Sequence, residues 1–384
     1  MKRTIKITGK IMLILLTALL IFAVVTYFVH RVKTKEELDV LQQSGLYNPV
    51  SVGDYSLNVA KFGNEDGKHT IVAIAGLGMG DCSVSMRQMT AGLEGDNLVV
   101  FVDRAGYGLS DDTNNEMTLE YIVEDYRKAL KNSGVEGPYI LMPHSIGGVY
   151  ATYWCSQYPE EIEAVLFIDG TQLSANTYDG EEIEKSTWVD CVLSRLAGLG
   201  FGRYFLRDSF YYYPDNYSDA EQYLGDALSI AMMGSVATLS EGDHKVENAQ
   251  KAFDTIVTNE VPKLYICASW GYEEREDLVE YIKWMNRQIE RNNLGEKKND
   301  NPSDEMVGKF LKQCEENRQN ILMPYLEKMG NCELICLGGD HMIYEQKPIE
   351  CSTIIECFID ELDNKIPIVQ THNLRVSLSV IIYY

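Results

Sequence analysis

Six short apolar runs punctuate the chain: "HTIVAIAG" (69–76), "NLVVFVD" (97–103), "YILMP" (139–143), "AVLFID" (164–169), "KLYICAS" (263–269) and "ELICLG" (333–338). They are continuous rather than alternating, often β-branched, and most end in Gly, Pro or Asp. Strands buried on both faces of a parallel sheet read this way. Amphipathic stretches lie between them. In "TLEYIVEDYRKALKNSG" (118–134), Ile122, Tyr126, Ala129 and Leu130 share one helical face, Thr118 is placed to cap the start and Gly134 to end it. The alternation predicts an α/β fold: an open, mostly parallel sheet with helices on both faces and active residues at the C-terminal strand ends.

The rhythm breaks in two places. About ninety residues separate the run ending at Asp169 from the one starting at Lys263, far more than the dozen or so a crossover needs. This predicts an inserted helical cap over 172–260, whose aromatic run "YFLRDSFYYYP" (204–214) serves either to pack it or to line a pocket. The second excess, 273–331, predicts two helices around an exposed polar loop, "RNNLGEKKNDNPSDE". The core then divides into 51–171 and 261–362, and a strand-like tail occupies 363–384.

The N-terminus has a different pattern. An uncharged run from Ile11 to Val29 follows Lys2, Arg3, Lys6 and Lys10, and it is long enough to cross roughly 30 Å of hydrocarbon as one helix. Residues 1–32 are therefore expected to be a single-pass membrane anchor, joined to the body by a polar linker over 33–50. A cleaved signal peptide is the rival, but the run exceeds the usual h-region and no Ala-x-Ala-like site follows. Basic residues flank both ends, and Glu36 and Glu37 dilute the distal flank, favouring an extracytoplasmic body.

Charge sharpens the division. The net charge is −23 over 384 residues, yet residues 1–35 carry seven Lys and Arg and no acid, leaving 27 basic against 57 acidic residues beyond. A body that acidic repels nucleic acid. Nine scattered cysteines without a C-x-x-C pair or a His cluster argue for buried thiols, against a zinc site and against a dense disulfide scaffold.

One turn carries candidate chemistry. In "PHSIGG" (143–148) a strand ends at Ser145, and Gly147 and Gly148 open a helix. A serine on such a tight turn needs small neighbours, and the helix start directs N–H groups and partial positive charge at its hydroxyl. The pattern is G-x-S-x-G with Pro143 replacing the first Gly; an ordinary helix opening is the plain alternative. The base is expected at His341, since "LGGDHMIYEQKP" places it on a loop at the same sheet edge. Oxyanion donors are expected from the N–H groups of Ile146 and of Leu77 in "AIAGLGMGD". That glycine-rich loop lacks the Lys-Ser/Thr ending of a phosphate-binding P-loop.

The ordered set "AGLGMG", "DRAGYGLSD", "PHSIGG" and "GGDHMIYEQKP" resembles the α/β-hydrolase superfamily, in its cap-bearing branch of esterases, lipases and proline iminopeptidase-like peptidases, over roughly residues 50–362. The resemblance implies the α/β-hydrolase fold and a Ser-acid-His triad with Ser145 and His341, Leu77 and Ile146 at the oxyanion positions, and no metal or organic cofactor. Asp103 and Arg104 match a structural motif. The acid departs from the commonest pattern, because "KLYICASWGYEEREDL" has no Asp directly after its Gly. Asp169, one strand earlier, is favoured, with Glu274 as the alternative; Asp340 would point away from its neighbour. The implied function is a serine hydrolase cleaving an ester or amide of a small or lipid-like substrate. The competing reading is a tethered ligand-binding or sensory protein on the same fold.

Overall fold

The structure, a computed structural model, describes residues 2–177, 185–205, 213–214 and 216–364. Among them one sheet of eight strands runs in the order β1-β2-β4-β3-β5-β6-β7-β8: β1 Pro49–Ser51, β2 Ser56–Gly63, β3 Thr70–Ile74, β4 Leu98–Val102, β5 Tyr139–Pro143, β6 Ile162–Ile168, β7 Lys263–Cys267 and β8 Cys332–Cys336. From β3 to β8 every pairing is parallel, and β2 lies antiparallel against β4. The six apolar runs supply β3 to β8. The antiparallel edge, β1 and β2, is an addition that the run-based reading passed over, because "SLNVAKFG" mixes polar and apolar positions.

Every residue of β4, β5 and β7 is buried, which explains why these strands do not alternate. Val72, Val100, Leu141 and Val165 point into one apolar layer, and Ile71, Val99, Ile140 and Leu166 into the other. Helices cover both faces. On one side α2 (Leu119–Asn132) presents Ile122, Tyr126, Ala129 and Leu130, together with α3 (Gly147–Gln157). Thr118 occupies the N-cap position of α2 without a side-chain cap bond, and Gly134, at φ 73°, lies just past its end.

Most of the linker expected over 33–50 is helical. Helix α1 runs unbroken from Lys2 to Gln43, because its polar end has partners: Arg203 pairs with Glu37 in a buried bidentate contact, and Leu41 is buried. Between β6 and β7 the chain forms α4 (Trp188–Leu196), a short helix Gly202–Phe205, α5 (Asp219–Ala231) and α6 (Ala237–Asp254). Of the aromatic run at 204–214, residues 206–212 lie outside the described residues, as does the tail from 365 to 384. The second excess holds α7 (Arg275–Asn292) and α8 (Asp304–Asn317) around an exposed loop, and α9 (Pro348–Asn364) closes the described chain.

Candidate active site

Strand order selects the place. The chain runs outward in both directions from the β3/β5 pair, so their C-terminal ends flank the crevice where loops diverge. Ile74 pairs with Pro143 in register, and the His144 N–H donates to Ile74 O at 2.9 Å. The glycine-rich loop and the serine turn therefore leave the sheet side by side. Next along the same edge come the ends of β6 (Asp169), β7 (Ala268 and Ser269) and β8, the last followed by His341.

Ser145 sits at φ 52°, between β5 and α3. A left-handed backbone at a non-glycine residue is strained by roughly 1–3 kcal/mol, and the neighbours permit it. A Cβ on Gly147 would lie 2.5 Å from Ile74 O, and one on Gly148 3.1 Å from the Thr171 nitrogen. From the other side, a Cβ on Gly76 would lie 3.1 Å from the Ser145 Cβ and 2.9 Å from His144 Nδ1. Small residues on both sides let three backbone segments converge on one half-buried hydroxyl.

His341 Nδ1 and Asp169 Oδ2 are 2.7 Å apart. Asp169, at φ 43° and buried, accepts from the Ala268 N–H (2.8 Å), the Ser269 N–H (3.0 Å) and Ser269 Oγ (2.5 Å). His144 Nε2 meets His341 O at 3.0 Å, and the two imidazoles are 4.6 Å apart, which fixes the histidine loop beside the serine turn. Neither Ser145 Oγ nor His341 Nε2 has a hydrogen-bond partner among the described residues. Glu274 is elsewhere: it occupies the N-cap of α7, exposed, in a reciprocal capping box with Asp277. Asp340 accepts from the Met342 N–H within its own loop.

The electrostatics follow from these contacts. Burial works against a charged His341, but the Asp169 hydrogen bond and charge, helped by Asp340, hold it above its ordinary value. Burial would also raise Asp169, and the His341 bond and charge with the donors of Ser269 and Ala268 lower it instead. His144 is pushed down to about 3 by burial and by the neighbouring His341, so it stays neutral.

The N–H groups of Leu77 and Ile146 also lack partners among the described residues. Arg104, whose motif was read as structural, bears directly on the first of them. Its guanidinium donates to Ala75 O at 2.6 Å and Gly76 O at 2.8 Å. In a trans peptide the C=O and the next N–H point in opposite directions, so holding the Gly76 carbonyl turns the Leu77 N–H away from Arg104. Glu241, on α6, pairs with Arg104 at 3.0 Å with both side chains buried, and Tyr150 donates to Glu241 at 2.5 Å. Ser269, His144 and Glu241 escaped the sequence reading. His144 had a signal in its adjacency to Ser145, whereas Glu241 stands in the least patterned part of the chain. Among the described residues no three His, Cys, Asp or Glu side chains converge as a metal would require.

Comparison with known proteins agrees with this architecture. The family model described as alpha/beta hydrolase fold matches residues 71–188. YbdG of Bacillus subtilis (strain 168), an uncharacterized protein, is 30% identical over 274 residues, covering 67% of this chain and 79% of YbdG. Among solved structures, a membrane phospholipase A described as a bacterial virulence factor aligns with a TM-score of 0.51 at 18% identity, covering 93% of this chain and 99% of that one. Cfl2 from Burkholderia cenocepacia aligns at 0.51 and 18%, covering 81% and 95%. Sheet order, strained serine turn and the family-model match point one way: the chain belongs to the α/β-hydrolase superfamily.

Proposed function

We propose that the protein is a membrane-anchored serine hydrolase that cleaves an ester, or an amide, of a small or lipid-like substrate through an acyl-enzyme. The observation that carries this reading is the 2.7 Å contact between buried Asp169 and His341, made on a loop fastened to the residue before Ser145. With Nδ1 engaged, the Nε2 of His341 takes the Ser145 proton as Oγ attacks the carbonyl carbon. The oxyanion accepts from the Leu77 and Ile146 N–H groups. On collapse, His341 returns the proton to the leaving oxygen or nitrogen. Water, deprotonated by the same imidazole, then attacks the acyl-enzyme, and Ser145 leaves with that proton. Acid-base help of this kind supplies roughly 100- to 10,000-fold, and each oxyanion donor about 100- to 1,000-fold.

Two features support a membrane lipid as substrate source. The side chains from Ile11 to Phe28 on α1 are mostly exposed and apolar, along a helix whose 42 residues span about 63 Å at 1.5 Å per residue, twice the hydrocarbon thickness. The structural likeness to a membrane phospholipase A adds a second. Segment 172–260 acts as the cap, and basic residues before the span favour an extracytoplasmic body.

The test is fluorophosphonate labelling of the full chain in detergent, with Ser145→Ala alongside and p-nitrophenyl esters of increasing chain length as substrates. Labelling and turnover that disappear in the variant are expected. A folded wild-type protein that takes no label would remove Ser145 as a nucleophile and leave a ligand-binding protein on a hydrolase fold.

A further inference from the structure

Helix α4 is amphipathic with its apolar side outward. Trp188, Val189, Val192, Leu193 and Leu196, with Leu199 just beyond, are all exposed, Trp188 by 77% and Leu193 by 58%. A few polar and backbone contacts tie the segment to the protein, although no residue of α4 is buried. Ser194 Oγ donates to Ser235 O at 3.0 Å, Arg195 donates to Asn114 Oδ1 at 3.1 Å, and Gly198 approaches Gly234 so closely that an added Cβ would lie 3.0 Å from its Cα. The helix is tethered through Ser194 and the glycines after it while presenting a tryptophan and branched aliphatics to its surroundings, and a capping box between Thr187 and Asp190 fixes its start. Rows of apolar residues on a fixed, polar-backed helix suit the boundary between headgroups and acyl chains, and tryptophan is enriched at that depth.

What covers this face follows from where it joins α1. Phe201, just after α4, meets Phe22 edge-to-face at 6.0 Å. A Cβ on Gly200 would lie 2.7 Å from the His30 Cβ and 3.1 Å from Thr26 O, so the two backbones touch. Arg203 then locks the junction through Glu37. Phe22 stands seven residues before the end of the apolar run at Val29, which is about 10 Å inside the span at 1.5 Å per residue. A cap segment that touches Phe22 cannot remain in bulk water while α1 crosses a bilayer. The segment that follows α4 directly thus lies against the apolar stretch of α1.

We propose that α4 and the turn after it form a second membrane contact: the cap lies on the bilayer that α1 crosses, with Trp188, Leu193 and Leu196 sunk into the acyl boundary. This rests on reading α1 as a membrane span. The contact also connects the lipid surface to the candidate site. Met233 fills the space beside Gly198 and Gly202, while its neighbour Met232 lies against Gly80 in the glycine-rich loop. A thin layer of flexible methionine separates the membrane-facing segment from the loop that carries Leu77, so the cap is built to receive its substrate from the bilayer.

Trp188 reports on this directly, since Trp154 and Trp284 are buried and Trp270 is half-buried. The full chain is reconstituted into phosphatidylcholine–phosphatidylglycerol vesicles with plain or brominated acyl chains, and tryptophan emission is compared for wild type, Trp188→Phe and Leu193→Asp. Alkaline carbonate extraction of the same vesicles reads the anchor separately. Expected is bromine-dependent quenching in the wild type, most of it lost in Trp188→Phe and weakened in Leu193→Asp, with all three proteins resisting carbonate. Carbonate-resistant protein that is equally bright in both vesicles overturns the docking and leaves the anchor standing. Bromine-dependent quenching in vesicles from which carbonate then strips the protein keeps a surface contact at α4 and removes the anchor. Protein that is both released and unquenched ends both.

Discussion

At the scale of single residues, the proposed mechanism makes Asp169 and His341 set the pH behaviour. A base held above its ordinary value, which is about 6.5 for histidine, must lose its proton before it can work. The acid limb of kcat/KM is accordingly expected above pH 6.5. Asp169→Asn leaves the burial that lowers the imidazole and removes the charge that raises it, so the limb moves downward while kcat falls by roughly 10,000-fold, as loss of a triad acid does elsewhere. Pre-steady-state and pH-rate measurements on a p-nitrophenyl ester check both. Glu274→Gln, at a helix cap, should change turnover little. Gly76→Ala tests the crowding beside the serine: with Ser145 Cβ and His144 Nδ1 so close, turnover should fall by at least tenfold, an effect of about 1.4 kcal/mol, with secondary structure unchanged by circular dichroism. The serine and histidine were legible because each stands in a motif. The acid was legible only as a choice between Asp169 and Glu274, since both follow strands and only their surroundings differ.

Between elements, two buried ion pairs connect parts of the chain that the sequence keeps far apart. Arg104 to Glu241 joins the core to α6, and Arg203 to Glu37 joins the segment after α4 to α1. Removing one partner of a buried pair leaves an uncompensated charge, at roughly 3–5 kcal/mol. Glu241→Gln should therefore lower the melting temperature in detergent, and because Arg104 holds the Ala75 and Gly76 carbonyls, it should reduce kcat more than it raises KM. Arg203→Glu should destabilise similarly, and combining it with Glu37→Arg should recover part of the loss; a double variant no better than the single one would mean that the contact contributes little. Strands β3 to β8 could be read from their continuous apolar runs. The helical continuation of α1 through 33–43 could not, because its polar residues look like a linker until Arg203 and the buried site of Leu41 are known.

For the molecule as a whole, the acidic body and the basic, apolar N-terminus define two environments. If α1 crosses a membrane as proposed, Leu16→Arg combined with Leu20→Arg places two charges in the span, at about 2.5–3.5 kcal/mol each near a helix centre, and should move the protein from the membrane to the soluble fraction on centrifugation. If the double variant still sediments with membranes, α4 and its neighbours hold it there, which the brominated-lipid measurement would reveal independently.

The sequence by itself determined the parallel α/β sheet, the apolar span and the pairing of a serine turn with a histidine loop. Each depends on local pattern: strand burial leaves continuous apolar runs, a bilayer demands length without charge, and a tight turn demands small residues. Tertiary structure alone decided that Asp169 faces His341 while Glu274 caps a helix, that Arg104 holds the carbonyls of the glycine-rich loop, and that Gly200 and Phe201, just after α4, adjoin α1. Those facts depend on which separate segments meet, through strand order and buried charge pairs, and contacts between positions 28 to 172 apart leave no periodic trace along the chain.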